Sequence, residues 1–271
     1  MYKIRPLLKS EINLLQNFPP ESWNLDLPVF ISFHFNYPYF YPIVAEEDDK
    51  IVGFGNGILN GSTGWLGNIL VPSEFRRKGI GQEITKHLIE YFHSKGCTSQ
   101  LLIASEMGKN IYNRLGFKES STYQFLKKSS DLPDYQKNEN VKRINYNDFD
   151  LLKKFDEEIS GEKRFNLIKR YFPTGWIYQP KKANNIQGVF LPDLGGGLIF
   201  AINPEAGLEL IKFKLNIRKF RSVIPTDNET ALNYLKSQGF EIYSTAPRMV
   251  LGNDVNWQPK YIYNRAAGYC G

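Results

Sequence analysis

The sequence predicts a chain of the α/β (α+β) class, made of a strand-and-helix unit that occurs twice. Three observations predict it. "YNRLGFKESST", Tyr112 to Thr122, and "LKSQGFEIYST", Leu235 to Thr245, both read as a helix end, a Gly-Phe pair and a strand start. In each, glycine (Gly116, Gly239) suits a left-handed C-cap, and the phenylalanine (Phe117, Phe240) starts a strand facing the core. "KIRPLLKSEINLLQNF" and "KRINYNDFDLLKKF" open the two halves alike, each with a short strand, a turn, and a helix carrying Leu-Leu before Phe. Between the halves, "KSSDLPDYQKNEN" mixes Ser, Asp, Pro and Asn without apolar periodicity, as a linker does. The expected organisation is a first domain over 1–128, a linker over 129–140 and a second domain over 141–271. With 271 residues, 42% of them hydrophobic, the chain can bury a core in each.

Taken in order, "YPIVAEED" and "DKIVGFGNGIL" are apolar runs on either side of an acidic turn, the pattern of an antiparallel hairpin. Glu46, Glu47, Asp48 and Asp49 at its tip alternate in direction and have no spaced partners, so they read as a solvated turn rather than a metal site. "GWLGNILV" is the next strand. It leads through "PSEFRRKGIG" into a helix whose apolar face is Ile80, Ile84, Leu88 and Tyr91.

At that helix start the first N–H groups have no intrahelical acceptor, and the helix dipole adds partial positive charge. Gly79 and Gly81 let the backbone approach a ligand closely, while Arg76, Arg77 and Lys78 bring full charges. The combination describes a phosphate or pyrophosphate cradle. A basic helix start on a solvated surface is the plainer alternative.

Composition narrows the other classes. The net charge of +6 is spread along the chain, which does not suggest a nucleic-acid partner. The three His have no ligand spacing with Cys or with one another, so no metal is expected. There is no nucleophile elbow, no GKS or GKT phosphate loop and no GxGxxG. Cys97 and Cys270 make no disulfide framework, fitting a reducing cytoplasm. No apolar run nears the ~20 residues of a membrane span, and "MYKIRPLLKSEINLL" lacks a signal-peptide pattern, so a soluble cytoplasmic protein with no membrane partner is expected.

"RRKGIG" resembles the Arg/Gln-x-x-Gly-x-Gly/Ala signature of the GNAT acetyltransferase superfamily, preceded by a strand and "LVPSEF" and followed by a helix. "LLIASEMGKNIYNRLGF" resembles the strand, loop, helix and Gly-Phe that follow in that family. The likeness covers roughly residues 1–127, with 65–117 as its specific part, and its detailed form is similar to tandem members with a divergent second domain. It implies two tandem GNAT-like domains, each a mixed, mostly antiparallel twisted sheet flanked by helices. It also implies acetyl-CoA as co-substrate. The pyrophosphate would lie on the N–H groups of Arg77, Lys78, Gly79, Ile80 and Gly81, with Arg76 and Gln82 beside them. The pantetheine would lie along the strand ending at Leu70 and Val71, next to a bulge, and Ser105 and Gly108 would help hold the cofactor. The Val71 N–H would polarise the thioester carbonyl, and Tyr112 would serve as the general acid toward departing CoA thiolate. Core packing is the plainer role for Tyr112.

Two departures from the family pattern matter. The strand before the glycine loop has no carboxylate, which leaves no named base; Asn68 could hold a water for the incoming amine. The second half has Pro204, Glu205 and a single Gly207 before its helix in place of the glycine signature, and Leu235 in place of Tyr112. It is therefore expected to complete the acceptor pocket or act as a scaffold. "FISFHFNYPYFY", residues 30–41, could wall that pocket with His34 as a polar contact, or simply pack in the core. "DLGGGL", 193–198, reads as a hairpin in preference to an anion nest. The activity expected is acetyl transfer to a primary amine, most naturally of a small molecule, with a non-catalytic acyl-CoA sensor or scaffold as the rival. Neither the acceptor's identity nor the oligomeric state is legible.

Overall fold

A computed structural model describes residues 2–128, 135–136, 138–182, 185–217 and 221–271. Most of the expected linker (129–134 and 137) lies outside the described residues. The first half runs β1 (Lys3–Pro6), α1 (Leu27–His34), β2 (Phe40–Glu47), β3 (Lys50–Asn60), β4 (Thr63–Leu70), α2 (Ile80–Ser94), β5 (Ser99–Ile103), α3 (Glu106–Arg114) and β6 (Lys118–Lys127). The second half runs β7 (Val141–Arg143), α4 (Phe149–Ser160), α5 (Phe165–Ile168), β8 (Trp176–Tyr178), β9 (Gly188–Leu191), β10 (Leu198–Ala201), α6 (Pro204–Ile217), β11 (Arg221–Pro225), α7 (Glu229–Ser237), β12 (Glu241–Gly252) and β13 (Ile262–Asn264).

The local devices read from the repeat are present twice. Gly116 (φ +92°) and Gly239 (φ +80°) are left-handed, and the amides of Phe117 and Phe240 each reach back 3.0 Å to a carbonyl, of Tyr112 and Leu235 respectively. The helices before them begin alike too, with Ser105 and Asn228 side chains accepting from Gly108 N and Ala231 N. β2 and β3 form the expected hairpin, turned by Asp48 and Asp49 at positive φ. At its flank Glu46 is held by Arg5, whose Nε donates at 2.8 Å.

The sheets cross the boundary that the sequence suggests. The first is eight-stranded, in the order β1-β2-β3-β4-β5-β12-β6-β11, and the second is β13-β10-β9-β8-β7. β12, from the second half, lies between β5 and β6, and β6 in turn lies between β12 and β11. Each half thus lends the other the strand that follows its Gly-Phe pair. Within the described residues only the first sheet is mixed, through the parallel pair β4–β5; every pairing in the second is antiparallel. The expectation of two mixed sheets fails there because β11 has joined the other sheet. Arg265 N binds Val223 O at 2.8 Å, so the residues after β13 fill the space between β10 and β11.

α2 and α3 pack on one face of the first sheet, over Leu66, Leu102, Phe117 and Met249. α2 lies unusually close because β3 and β4 present glycines: a Cβ at Gly55 would stand 2.5 Å from Ile84 Cγ2, and one at Gly64 2.4 Å from Phe92 Cγ. The buried face of α2 is Ile80, Ile84, Leu88 and Phe92, whereas Tyr91 is only half-buried and stacks on Tyr41 at 3.7 Å. The opposite face of the sheet carries Trp65, Leu70, Leu101 and Val250, in one continuous core with Tyr171, Phe172, Tyr269 and Cys270 of the second half.

Candidate active site

β4 and β5 are parallel, so the helices that follow them begin at the same edge of the sheet. Their pairing stops early, at Trp65 with Leu101, although β4 continues to Leu70 and β5 to Ile103. A bulge marks the departure: against β3, Gly67 faces Asn56 and Leu70 faces Phe54, leaving Asn68 and Ile69 opposite the single residue Gly55. Asn68 has φ +49° and donates from Nδ2 to Asn56 Oδ1 at 2.8 Å. Past this point the strands diverge, opening a cleft between their C-terminal ends.

The glycine-rich turn closes one side of the cleft. Ser73–Phe75 is a short 3-10 turn, after which Arg77 (φ +64°) and Gly79 (φ +83°) are left-handed before α2 begins at Ile80. Arginine at positive φ is strained by about 1 kcal/mol or more, and such strain commonly accompanies a ligand-binding loop. Arg76 Nε donates 2.9 Å to Val71 O, so this arginine braces the turn against the strand end. Gly81 faces the same strand end, since a Cβ there would be 3.8 Å from Val71 Cγ2.

Among the described residues the N–H groups of Arg77, Lys78, Gly79, Ile80 and Gly81 make no hydrogen bond, and neither does that of Val71; Gln82 N turns back to Gly79 O. A row of free amides beside the exposed Arg77 and Lys78 side chains has the donor chemistry of a pyrophosphate site. The Ile80 side chain is buried, leaving only its amide available. One neighbour was missed in the sequence: the Tyr2 hydroxyl is 3.5 Å from where a Gly79 Cβ would stand. Nothing in the pattern around Tyr2 distinguishes it from a strand-start aromatic.

α3 supplies the other side. Ser105 caps it by accepting from Gly108 N at 3.2 Å. Gly108 lets the Tyr112 ring lie against the helix backbone, since a Cβ would be 2.7 Å from Tyr112 Cε2. The Tyr112 ring meets Phe117 edge-on at 6.0 Å, yet its hydroxyl has no hydrogen-bond partner among the described residues. Burial pushes that hydroxyl up to about 12. Tyr112 therefore stays a neutral donor at every physiological pH.

Of the two arrangements open to His34, the structure shows core packing. It is 1% exposed, with Nδ1 at 3.0 Å from the Tyr39 hydroxyl and Nε2 at 3.2 Å from the Tyr171 hydroxyl. Arg170 donates to Tyr39 and to the Phe33 carbonyl. Burial first, and the Arg170 charge second, push the imidazole down to about 3. Both ring nitrogens are engaged, so His34 joins the halves as core and offers nothing to a substrate. The aromatic-rich run packs for the same reason, because each ring finds a neighbour in the shared core.

"DLGGGL" is the expected hairpin between β9 and β10, turned by Gly197 N to Leu194 O at 3.0 Å; Gly196 N bonds Ala266 O at 2.8 Å, so that amide is not available to an anion. Among the described residues no helix is long and apolar enough to cross a membrane.

Residues 9–117 match the family model described as the acetyltransferase (GNAT) family. An uncharacterized N-acetyltransferase of Methanocaldococcus jannaschii is 26% identical over 123 residues, covering 43% of this chain and 78% of that protein. The uncharacterized protein YyaT of Bacillus subtilis is 30% identical over 79 residues, covering 29% of this chain and 53% of its own. In fold, a crystal structure from Pyrococcus horikoshii, provisionally assigned as an acetyltransferase, superposes with a TM-score of 0.83 over 100% of this chain and 96% of its own, at 20% identity. A tandem GNAT protein from the clavulanic acid biosynthesis pathway superposes with a TM-score of 0.60 over 93% and 98%, at 14% identity.

Proposed function

We propose that this chain, whose residues 9–117 match the acetyltransferase (GNAT) family, transfers acetyl from acetyl-CoA to the primary amine of a small molecule by direct attack within a ternary complex. The observation that carries the reading is the unbroken row of free amides from Arg77 to Gly81 at the mouth of the cleft between β4 and β5. Those amides, with Arg77 and Lys78, would hold the pyrophosphate. The exposed backbone of β4 beyond its bulge would take the pantetheine amides as an added strand does.

In this reading the amine nitrogen bonds to the thioester carbon while the Val71 N–H stabilises the oxygen that gains charge. The C–S bond then breaks, and the amine's extra proton passes to water. Tyr112 faces the sulfur. A phenol at about 12 is too weak an acid to protonate fully a thiolate of ordinary pKa ~8.5, so its role is a hydrogen bond to the sulfur as negative charge develops. Neither cysteine is placed for a covalent intermediate, since Cys97 and Cys270 are both buried away from the glycine turn.

Calorimetric titration with acetyl-CoA, CoA and desulfo-CoA tests the donor site, and Tyr112→Phe tests catalysis. Micromolar binding, with CoA release on addition of amines that falls in the variant while affinity holds, is the expected result. Absence of binding to the folded protein would sink the donor assignment. Binding without CoA release from any amine would favour a sensor or scaffold.

A further inference from the structure

The face of the first sheet that points away from α2 and α3 carries a buried cationic group with unmade hydrogen bonds, Arg248, and the half-buried Arg265 lies close by. Arg248 on β12 is 1% exposed; its Nη1 donates to Ser120 Oγ at 2.8 Å, but Nε and Nη2 have no hydrogen-bond partner among the described residues. The Nε of Arg265 and the hydroxyl of the fully buried Tyr123 are likewise without hydrogen-bond partners there. These groups are neighbours. The Arg265 guanidinium lies 5.4 Å from the Tyr123 ring centre, Tyr123 lies 6.0 Å from Trp257, and the Arg248 guanidinium lies 4.3 Å from Trp257.

Elsewhere in the molecule the same guanidinium edge is filled by a carboxylate. Arg164 grips Asp156 with Nε at 3.0 and 3.1 Å and Nη2 at 2.8 Å, and Arg5 grips Glu46 with the same two nitrogens. Arg248 presents this fork with no carboxylate on it. The other buried carboxylate nearby, Glu162, accepts from Asn60 Nδ2 at 3.1 Å and Trp65 Nε1 at 2.8 Å and makes no ion pair among the described residues. Glu162 and Asp254 act on Arg248 only from a distance, and neither carboxylate is hydrogen-bonded to its fork. Buried guanidinium N–H groups without an acceptor are unfavourable unless a ligand supplies one. Burial pushes Arg248 and Arg265 below the ordinary arginine value.

Location gives this site its meaning. Arg248 stands in register with Ile103, at the C-terminal end of β5, where β5 has already parted from β4. It is on the face opposite α2 and α3, beside the cleft.

We infer that the acceptor carries a carboxylate as well as its amine, and that Arg248 holds this carboxylate through the Nε–Nη2 fork, with Tyr123 and Arg265 as further donors. The substrate class is that of amino acids and short amino-carboxylic acids. Arg248 and Arg265 both come from the second half, which thereby supplies the acceptor's specificity while the first half supplies the donor site. The inference rests on the acetyl-transfer reading for what happens to the amine; the anion site stands on its own geometry.

The test uses matched compounds on the whole protein. CoA release is measured with L-amino acids against their carboxamides and with β-alanine against propylamine, and N-acetyl amino acids against their amides are titrated calorimetrically without any turnover. A carboxylate preference of about 100-fold or more is expected, the scale for a buried, fork-bound charge pair. Arg248→Gln should abolish the preference, and Arg248→Lys should restore only part of it, because an ammonium is a point charge without the fork. Equal use of acids and amides by the wild type overturns the inference whether or not either variant folds. A preference that persists in folded Arg248→Gln also overturns it, as does binding of neither N-acetyl series. Arg248-dependent binding of N-acetyl amino acids without CoA release from any amine would leave the anion site and remove the transfer reading. Transfer without carboxylate preference would do the reverse.

Discussion

The two halves start their long helices at corresponding places and in opposite ways. α2 begins from left-handed Arg77 and Gly79 with five amides free and two cationic side chains exposed beside them. α6 begins at Pro204, where Asn203 Oδ1 accepts from Ala206 N at 2.9 Å and the Glu205 carboxylate accepts from the Tyr178 hydroxyl. The Tyr263 ring lies over the same turn, since a Cβ on Gly207 would be 2.3 Å from it. The second start is thus satisfied by the protein's own side chains, whereas the first keeps its amides free. What the repeat retains is the fold's hardware, the Gly-Phe C-caps and the helix N-caps; what differs is the open helix start.

The strongest way to break this comparison is to fill the open start. Gly81→Glu places a carboxylate among the free amides and should weaken acetyl-CoA binding by about 100-fold or more, the scale of losing several charge-assisted hydrogen bonds. Calorimetry on protein with an unchanged far-UV spectrum would read it. The converse change, Glu205→Lys, should create no CoA binding, because Tyr263 still covers the turn. Binding competed by CoA at a second site would show that charge alone separates the halves.

Tyr112→Phe should lower kcat by roughly 10- to 100-fold with CoA affinity nearly unchanged, matching the loss of one donor made only as the sulfur leaves. In the wild type, the hydroxyl's position near 12 predicts no falling limb from Tyr112 below about pH 11. A limb near pH 10 would assign an ordinary, solvated phenol.

A smaller effect concerns the joint between the halves. His34 is held at about 3 in the folded chain against ~6.5 when unfolded, so the folded state binds fewer protons between those values. Its contribution to stability is present above pH 6.5 and is lost as pH falls through that window, with a slope of up to about 1.4 kcal/mol per pH unit. Urea unfolding at pH 5 and pH 7 should show the wild type losing more stability than His34→Gln over that interval.

Smallest is Arg77→Gly, which relieves the left-handed strain and should raise stability by about 1 kcal/mol while costing CoA affinity a few-fold. If stability falls instead, the turn is held by contacts of the Arg77 side chain.

Much of the local structure was legible because its signals are local to a few residues. Gly116 and Gly239, the acidic hairpin tip and the glycine turn each carry their structural reason within a few residues of sequence. His34 was left between pocket wall and core, since the partners that decide it, Tyr171 and Arg170, are remote in the chain. Arg248 was not singled out at all. On β12 it reads as one charge in "STAPRMVLG", and only the exchange of β6 and β12 brings it beside Ile103. Pairing between distant strands is set by the whole sheet and leaves no mark in either strand's own pattern.

That exchange has a kinetic consequence. Residues 99–103 pair with β4 on one edge and find their second neighbour only when residues 241–252 exist, so the sheet that lines the cleft cannot close while the chain is still being made. Until then β5 and β6 present open edges on which another chain could pair. A ribosome carrying the finished first half holds every residue of the glycine turn and no completed cleft, and the fold's last long strand is also its switch from a sticky intermediate to a working protein.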